Sequence, residues 1–194
     1  LQKLHSSKGQ RQNVFVCFFY EIFSWRQCYP HTSFTYILSK DIFKHNRCQK
    51  NEADVLMVKG KSWCDKNIKI VAAGSNDSGV SWIVTSDYQG GTIWSFEFGE
   101  IDPQKDEKQY LGELKDIKKM TDSFDVVLFP VDGRIGNGYT RGARQFIEQF
   151  QTGLFVPMHF VASGSKSAWR MKEFTDAVQI PFWKIAHEGE SIDI

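Results

Sequence analysis

No apolar run in this chain is long enough to cross a bilayer, and none of its four cysteines are paired as Cys-x-x-Cys. The first absence argues against a membrane-spanning helix. The second removes zinc-knuckle and thioredoxin-type readings, leaving Cys17, Cys28, Cys48 and Cys64 as reduced thiols by default. The opening residues LQKLHSSKGQRQ contain no apolar core of a secretory signal. Charge imbalance is missing too. Lys and Arg total 24 against 23 Asp and Glu, a net of +1, so no field draws the chain to nucleic acid or an anionic membrane. Repeats and low-complexity tracts are absent. These absences leave a cytoplasmic protein with neither a nucleic-acid nor a membrane partner as the expectation. Its length of 194 residues suits one domain, 1–194, with an irregular start over 1–13.

Aromatic side chains are abundant, led by sixteen phenylalanines. Apolar runs predict strands over residues 14–19, 34–38, 54–58, 68–72, 80–85 and 92–98, with turns at Lys59-Gly60-Lys61 and around Gly90-Gly91. Asp102-Pro103 predicts a helix start, and Tyr110, Leu111, Leu114 and Ile117 its buried face. A second helix over residues 169–177 and a last strand over 181–185 follow further on.

The densest signal lies between Asp125 and Phe160, DVVLFPVDGRIGNGYTRGARQFIEQFQTGLFVPMHF. Residues 125–129 read as a buried strand closed by Pro130, which cannot donate to a ladder. Thr140 is the expected N-cap of a helix whose apolar face is Ala143, Phe146, Ile147 and Phe150, with Gly153 as its stop. Residues 154–156 are a second strand, and Pro157-Met158-His159 follows. In such strand–helix–strand units ligands gather at the carboxyl ends of the strands. Asp132 and His159 are both expected at such ends.

The words FPVDGRIG, YTRGARQFIE and FVPMHF resemble the C-terminal half of a metallo-β-lactamase-superfamily hydrolase, and most nearly its ascorbate-6-phosphate lactonase-like branch. VAAGSNDSGVSWIV resembles that branch's Gly-Ser-Thr-Asp-x-Gly-Val-Ser loop, and TYILSKDI the strand before it. The resemblance covers about residues 14–194. It implies an α+β/α/β fold, a four-layer αββα sandwich of two mixed β-sheets with its N-terminal strands incomplete. It also implies a metal-dependent hydrolase whose metal-bound hydroxide attacks an ester, lactone or phosphoester.

Carried over residue by residue, the resemblance makes His159 a metal ligand and Glu100 a second one, for one divalent cation (zinc, manganese or iron) or for none. Ser75, Asn76 and Asp77, with Asp132 and Arg134, are the expected substrate-binding residues. Each has a plainer reading: a buried satisfied histidine, a solvated strand-end carboxylate, an ordinary turn, and an Asp132–Arg134 loop ion pair. The family's His-x-His-x-Asp-His loop is absent. Overlaid on CFFYEIFS, it puts Phe18, Tyr20, Ile22 and Phe23 at ligand positions. Phenylalanine and isoleucine have no lone pairs to offer a cation, so a pseudoenzyme or binding scaffold on the same fold is the alternative. The family's opening strand pair, with its Gly-His-Ser word, is also unmatched. That leaves an uncovered edge and makes a homo-oligomer an expectation.

Overall fold

A computed structural model of the chain describes residues 13–16, 34–41, 55–75, 79–86, 92–95, 106–131, 138–158 and 168–179. Two sheets are built from these residues. The smaller holds β1 (Asn13–Val16), β2 (Phe34–Ser39) and β3 (Val55–Met57), parallel in the order β1-β2-β3. The larger runs in chain order through β4 (Ser62–Cys64), β5 (Ile68–Ala73), β6 (Ser81–Ser86), β7 (Thr92–Ser95), β8 (Ser123–Pro130) and β9 (Gln151–Met158). Strands β4 to β7 pair antiparallel, whereas β7, β8 and β9 are parallel. Three helices, α1 (Asp106–Lys118), α2 (Arg141–Gln149) and α3 (Ala168–Val178), supply the described helical layer. The α2 crossover joins β8 to the parallel β9, the connection a parallel pair requires.

Alternation along β5 and β6 explains how the layers stack. Register pairs Ile70 with Val84 and Ala72 with Trp82, and all four belong to a core that includes Ile37 and Met57 of the smaller sheet. The intervening pairs, Val71 with Ile83 and Ala73 with Ser81, face the other way. There Ala73 and Ile83 join a second core with Tyr110, Leu114, Ile117, Phe146 and Phe174 of the helices. Side chains on a strand point to opposite faces in turn, so one strand pair can serve two cores. The described order is therefore helices, six-stranded sheet, three-stranded sheet.

Mixed sheets with helices agree with the expected class. The smaller sheet, expected to be mixed, is parallel in its described strands. The described residues build no fourth layer; residues 1–12 and 181–185, the latter expected as a last strand, lie outside them. Several local expectations need correction. Leu111 is 38 % exposed, because the inward stripe of α1 is Tyr110, Leu114 and Ile117. Thr140 occupies the N-cap of α2 but makes no side-chain cap bond, its own backbone being helical. Gly153 does not stop α2. The chain becomes extended already at Phe150, and Gly153 lies inside β9. A Cβ at Gly153 would come 2.8 Å from the Asp125 carbonyl oxygen, so the glycine permits a close approach of β9 to β8. Strand β4 was not expected, and the Lys59-Gly60 turn leads into it rather than into β5. Among the described residues no helix is long and apolar enough to cross a membrane.

Candidate functional site at the rim of the sheets

Strand directions gather chain ends at one edge. Strands β5 and β7 both run antiparallel to β6, and β8 and β9 follow β7. The carboxyl ends of β5, β7, β8 and β9 and the start of β6 therefore share one rim. Pairing continues to the last residues of β8 and β9, where Pro130 faces Met158, and the Val131 amide donates to the Met158 carbonyl at 2.9 Å. The smaller sheet reaches the same rim. Just past β2, the Asp41 carboxylate accepts from the Gly79 amide at 3.3 Å. Gly79 has φ +101°, a conformation glycine adopts without steric cost.

The start of this rim is firmly held. Ser81 has no exposed surface, and its hydroxyl donates to the Gly74 carbonyl at 2.9 Å. Satisfying a buried hydroxyl and a buried carbonyl with each other avoids the desolvation cost either would carry alone. On the helix side, Glu113 of α1 lies against Gly74, and Lys59 Nζ meets Glu113 Oε2 at 2.6 Å. Lys59 also reaches Asp116 at 3.2 Å, and Lys119 reaches Asp116 at 2.7 Å. The hydrogen bond it donates to Glu113 is the main reason the Lys59 ammonium is held above its ordinary pKa. Asp116 is held below its ordinary value, chiefly by Lys119 and next by Lys59. Deeper in, the Tyr110 hydroxyl donates to the Gly142 carbonyl at 2.8 Å, and burial pushes its pKa well up.

Of the expected site residues, Ser75 is described; it is half-buried just beyond β5. Asn76, Asp77, Glu100, Asp132, Arg134 and His159 lie outside the described residues. The described chain stops beside three of them: Ser75 precedes Asn76, Val131 precedes Asp132, and Met158 precedes His159. Sequence reading missed Asp41, Lys59, Ser81 and Glu113 as rim residues. Lys59 and Glu113 are 54 positions apart, and Asp41 and Gly79 are 38 apart, so no local spacing could have announced either pair. Ser81 carried a usable signal, a hydroxyl within an apolar run beside a glycine-rich turn.

Among the described residues, no group of three His, Cys, Asp or Glu side chains comes together to hold a metal ion. The two expected ligands, His159 and Glu100, are fewer than the roughly three protein donors of a catalytic zinc or four of a structural one. Phe18, Tyr20, Ile22 and Phe23, which the resemblance puts at ligand positions, lie outside the described residues.

No family model matches the chain, and no curated protein matches it. Among solved structures, it is similar to a crystal structure from Thermotoga maritima of a protein described as a candidate Zn-dependent hydrolase of the metallo-β-lactamase superfamily. The identity is 14 %, the TM-score 0.44, and the match covers 73 % of this chain and 68 % of that one.

Proposed function

We propose that the chain is a hydrolase-like protein of metallo-β-lactamase architecture that takes a small-molecule ester, lactone or phosphoester at the rim. The observation that carries this reading is the convergence at one edge of the ends of β5, β8 and β9. Those strand ends lead into the sequence words VAAGSNDSGVSWIV, FPVDGRIG and FVPMHF, on which the family resemblance rests. The lactonase-like branch, a fourth layer, a cytoplasmic setting and self-association belong to the same proposal.

In this reading Ser75, Asn76, Asp77, Asp132 and Arg134 orient the substrate, and His159 and Glu100 would supply two of the donors for one divalent cation. When bound, such a cation lowers the pKa of a water molecule and polarises the bond under attack. The described residues do the positioning. Ser81 and Asp41 fix the two ends of the 74–79 segment, and the β8–β9 ladder fixes the residues just before Asp132 and His159.

A second reading has its own support. Apolar side chains at Phe18, Ile22 and Phe23 are what a binding scaffold without the dinuclear centre would carry. An assay of simple ester, lactone and phosphodiester substrates with added zinc or manganese separates the two. Turnover that disappears in a folded His159→Ala variant supports the hydrolase. Absence of turnover with every substrate and metal leaves the scaffold.

A further inference from the structure

Gly74 is the first residue past β5 and opens the rim segment. Its φ is not in the left-handed region, unlike those of Gly60, Gly79 and Gly138, so backbone conformation does not demand a glycine there. Space does. A Cβ at Gly74 would overlap the Glu113 carboxylate, which packs onto it from α1. That carboxylate is anchored in turn. Its side chain is 12 % exposed, and Lys59 grips it at 2.6 Å. Lys59 belongs to a turn tied to the same strand, because the Gly60 amide donates to the Ala72 carbonyl at 2.8 Å and the Ala72 amide donates to the Lys61 carbonyl at 2.9 Å. Turn, β5, Gly74, Glu113 and Lys59 thus form a closed ring of contacts. Ser81 holds the Gly74 carbonyl independently of that ring.

We infer that Glu113 is a positioning residue: gripped by Lys59 and seated on Gly74, it fixes where the 74–79 segment leaves the sheet. What the segment serves rests on the proposed function, but the clamp does not. Glycine is the only residue that leaves room for the carboxylate. An alanine at 74 would push Glu113 off and strip Lys59 of its main partner. The carboxylate is the end of a flexible side chain and can swing away, so the fold should survive the change.

Hydrogen exchange on the full chain, followed in a peptide covering residues 72–81, tests this. Glu113→Ala and Lys59→Ala should each speed exchange in that peptide about fivefold, the factor that about 1 kcal/mol brings. Peptides from β8 and α2 should be unchanged. Gly74→Ala should lower Tm by about 2–4 °C, the shift about 1 kcal/mol brings to a chain of this size. In the Glu113→Ala background the same substitution should cost nothing. Additive effects of the two substitutions would overturn the inference. So would unchanged exchange in the 72–81 peptide, or an equal rise in β8 and α2. None of these readouts involves a metal or a substrate, so an inactive, metal-free protein would sink the hydrolase reading and leave the clamp standing.

Discussion

Strands β5 and β6 are packed on their two faces against different materials. On the helix side the core is aromatic. Phe146 stacks on Phe150 with ring centroids 4.6 Å apart and also meets Phe129 at 5.5 Å and Phe124 at 5.8 Å. Most of it comes from one continuous stretch of chain, α1 through α3. Between the sheets the described core is mainly aliphatic, with Ile37, Met57, Ile70, Ala72, Val80 and Val84 around the indole of Trp82 and with Trp63 packed against it, drawn from segments far apart in sequence. The contrast separates stiffness from convergence. The aromatic side supplies a rigid platform carrying the β8 and β9 ends. The aliphatic side brings β2, and with it Asp41, to the same rim.

The largest expected effect breaks the platform. Phe146→Ala removes a side chain with no exposed surface and should cost about 3–5 kcal/mol, read from urea denaturation. Ile37→Val in the inter-sheet core should cost only about 0.5–1.5 kcal/mol. A reversed order would mean that the sheet–sheet face, not the helix face, holds the fold together. Next comes Gly153→Ala. Its Cβ would meet backbone rather than a movable side chain, so a loss of about 1–3 kcal/mol is expected. Unchanged stability would show that β8 and β9 can part without cost.

Smaller again is Tyr110→Phe, which deletes the hydrogen bond to Gly142 and should cost about 1 kcal/mol at neutral pH. Its sharper signature is in alkali. A phenol whose pKa is raised by burial contributes fully below its ordinary value of 10.0, and that contribution drains away as pH rises past it. Lys59, also raised, loses its ion pairs on the same alkaline side, but it is half exposed and its share is small. The wild type should therefore lose stability above pH 10.0 more steeply than Tyr110→Phe. Parallel pH profiles would show that the phenol is not buried as described.

The sequence was most readable where periodicity is local. Residues 34–38, 68–72 and 125–129 fall within strands, as do 81–85 of the expected 80–85, and Ala143, Phe146 and Phe150 turn inward together as helical spacing requires. It was least readable where a partner far along the chain decides. Strand β4 is only three residues long, too short for a periodic pattern, and only its register with β5 makes it a strand. Gly153 looked like a helix stop because glycine commonly ends helices. Its actual constraint, the Asp125 carbonyl, lies across the sheet. The site divides in the same way. Ser75 stands at a legible turn, whereas the Asp41–Gly79 and Lys59–Glu113 contacts are tertiary and have no signature in either segment alone.

Elemental analysis of the purified full chain tests the functional account most directly, with His159→Ala prepared alongside. The account predicts close to one zinc, manganese or iron per chain, lost in a His159→Ala variant that stays folded. Two metals per chain, or none at any added concentration with Tm indifferent to a chelator, would contradict it.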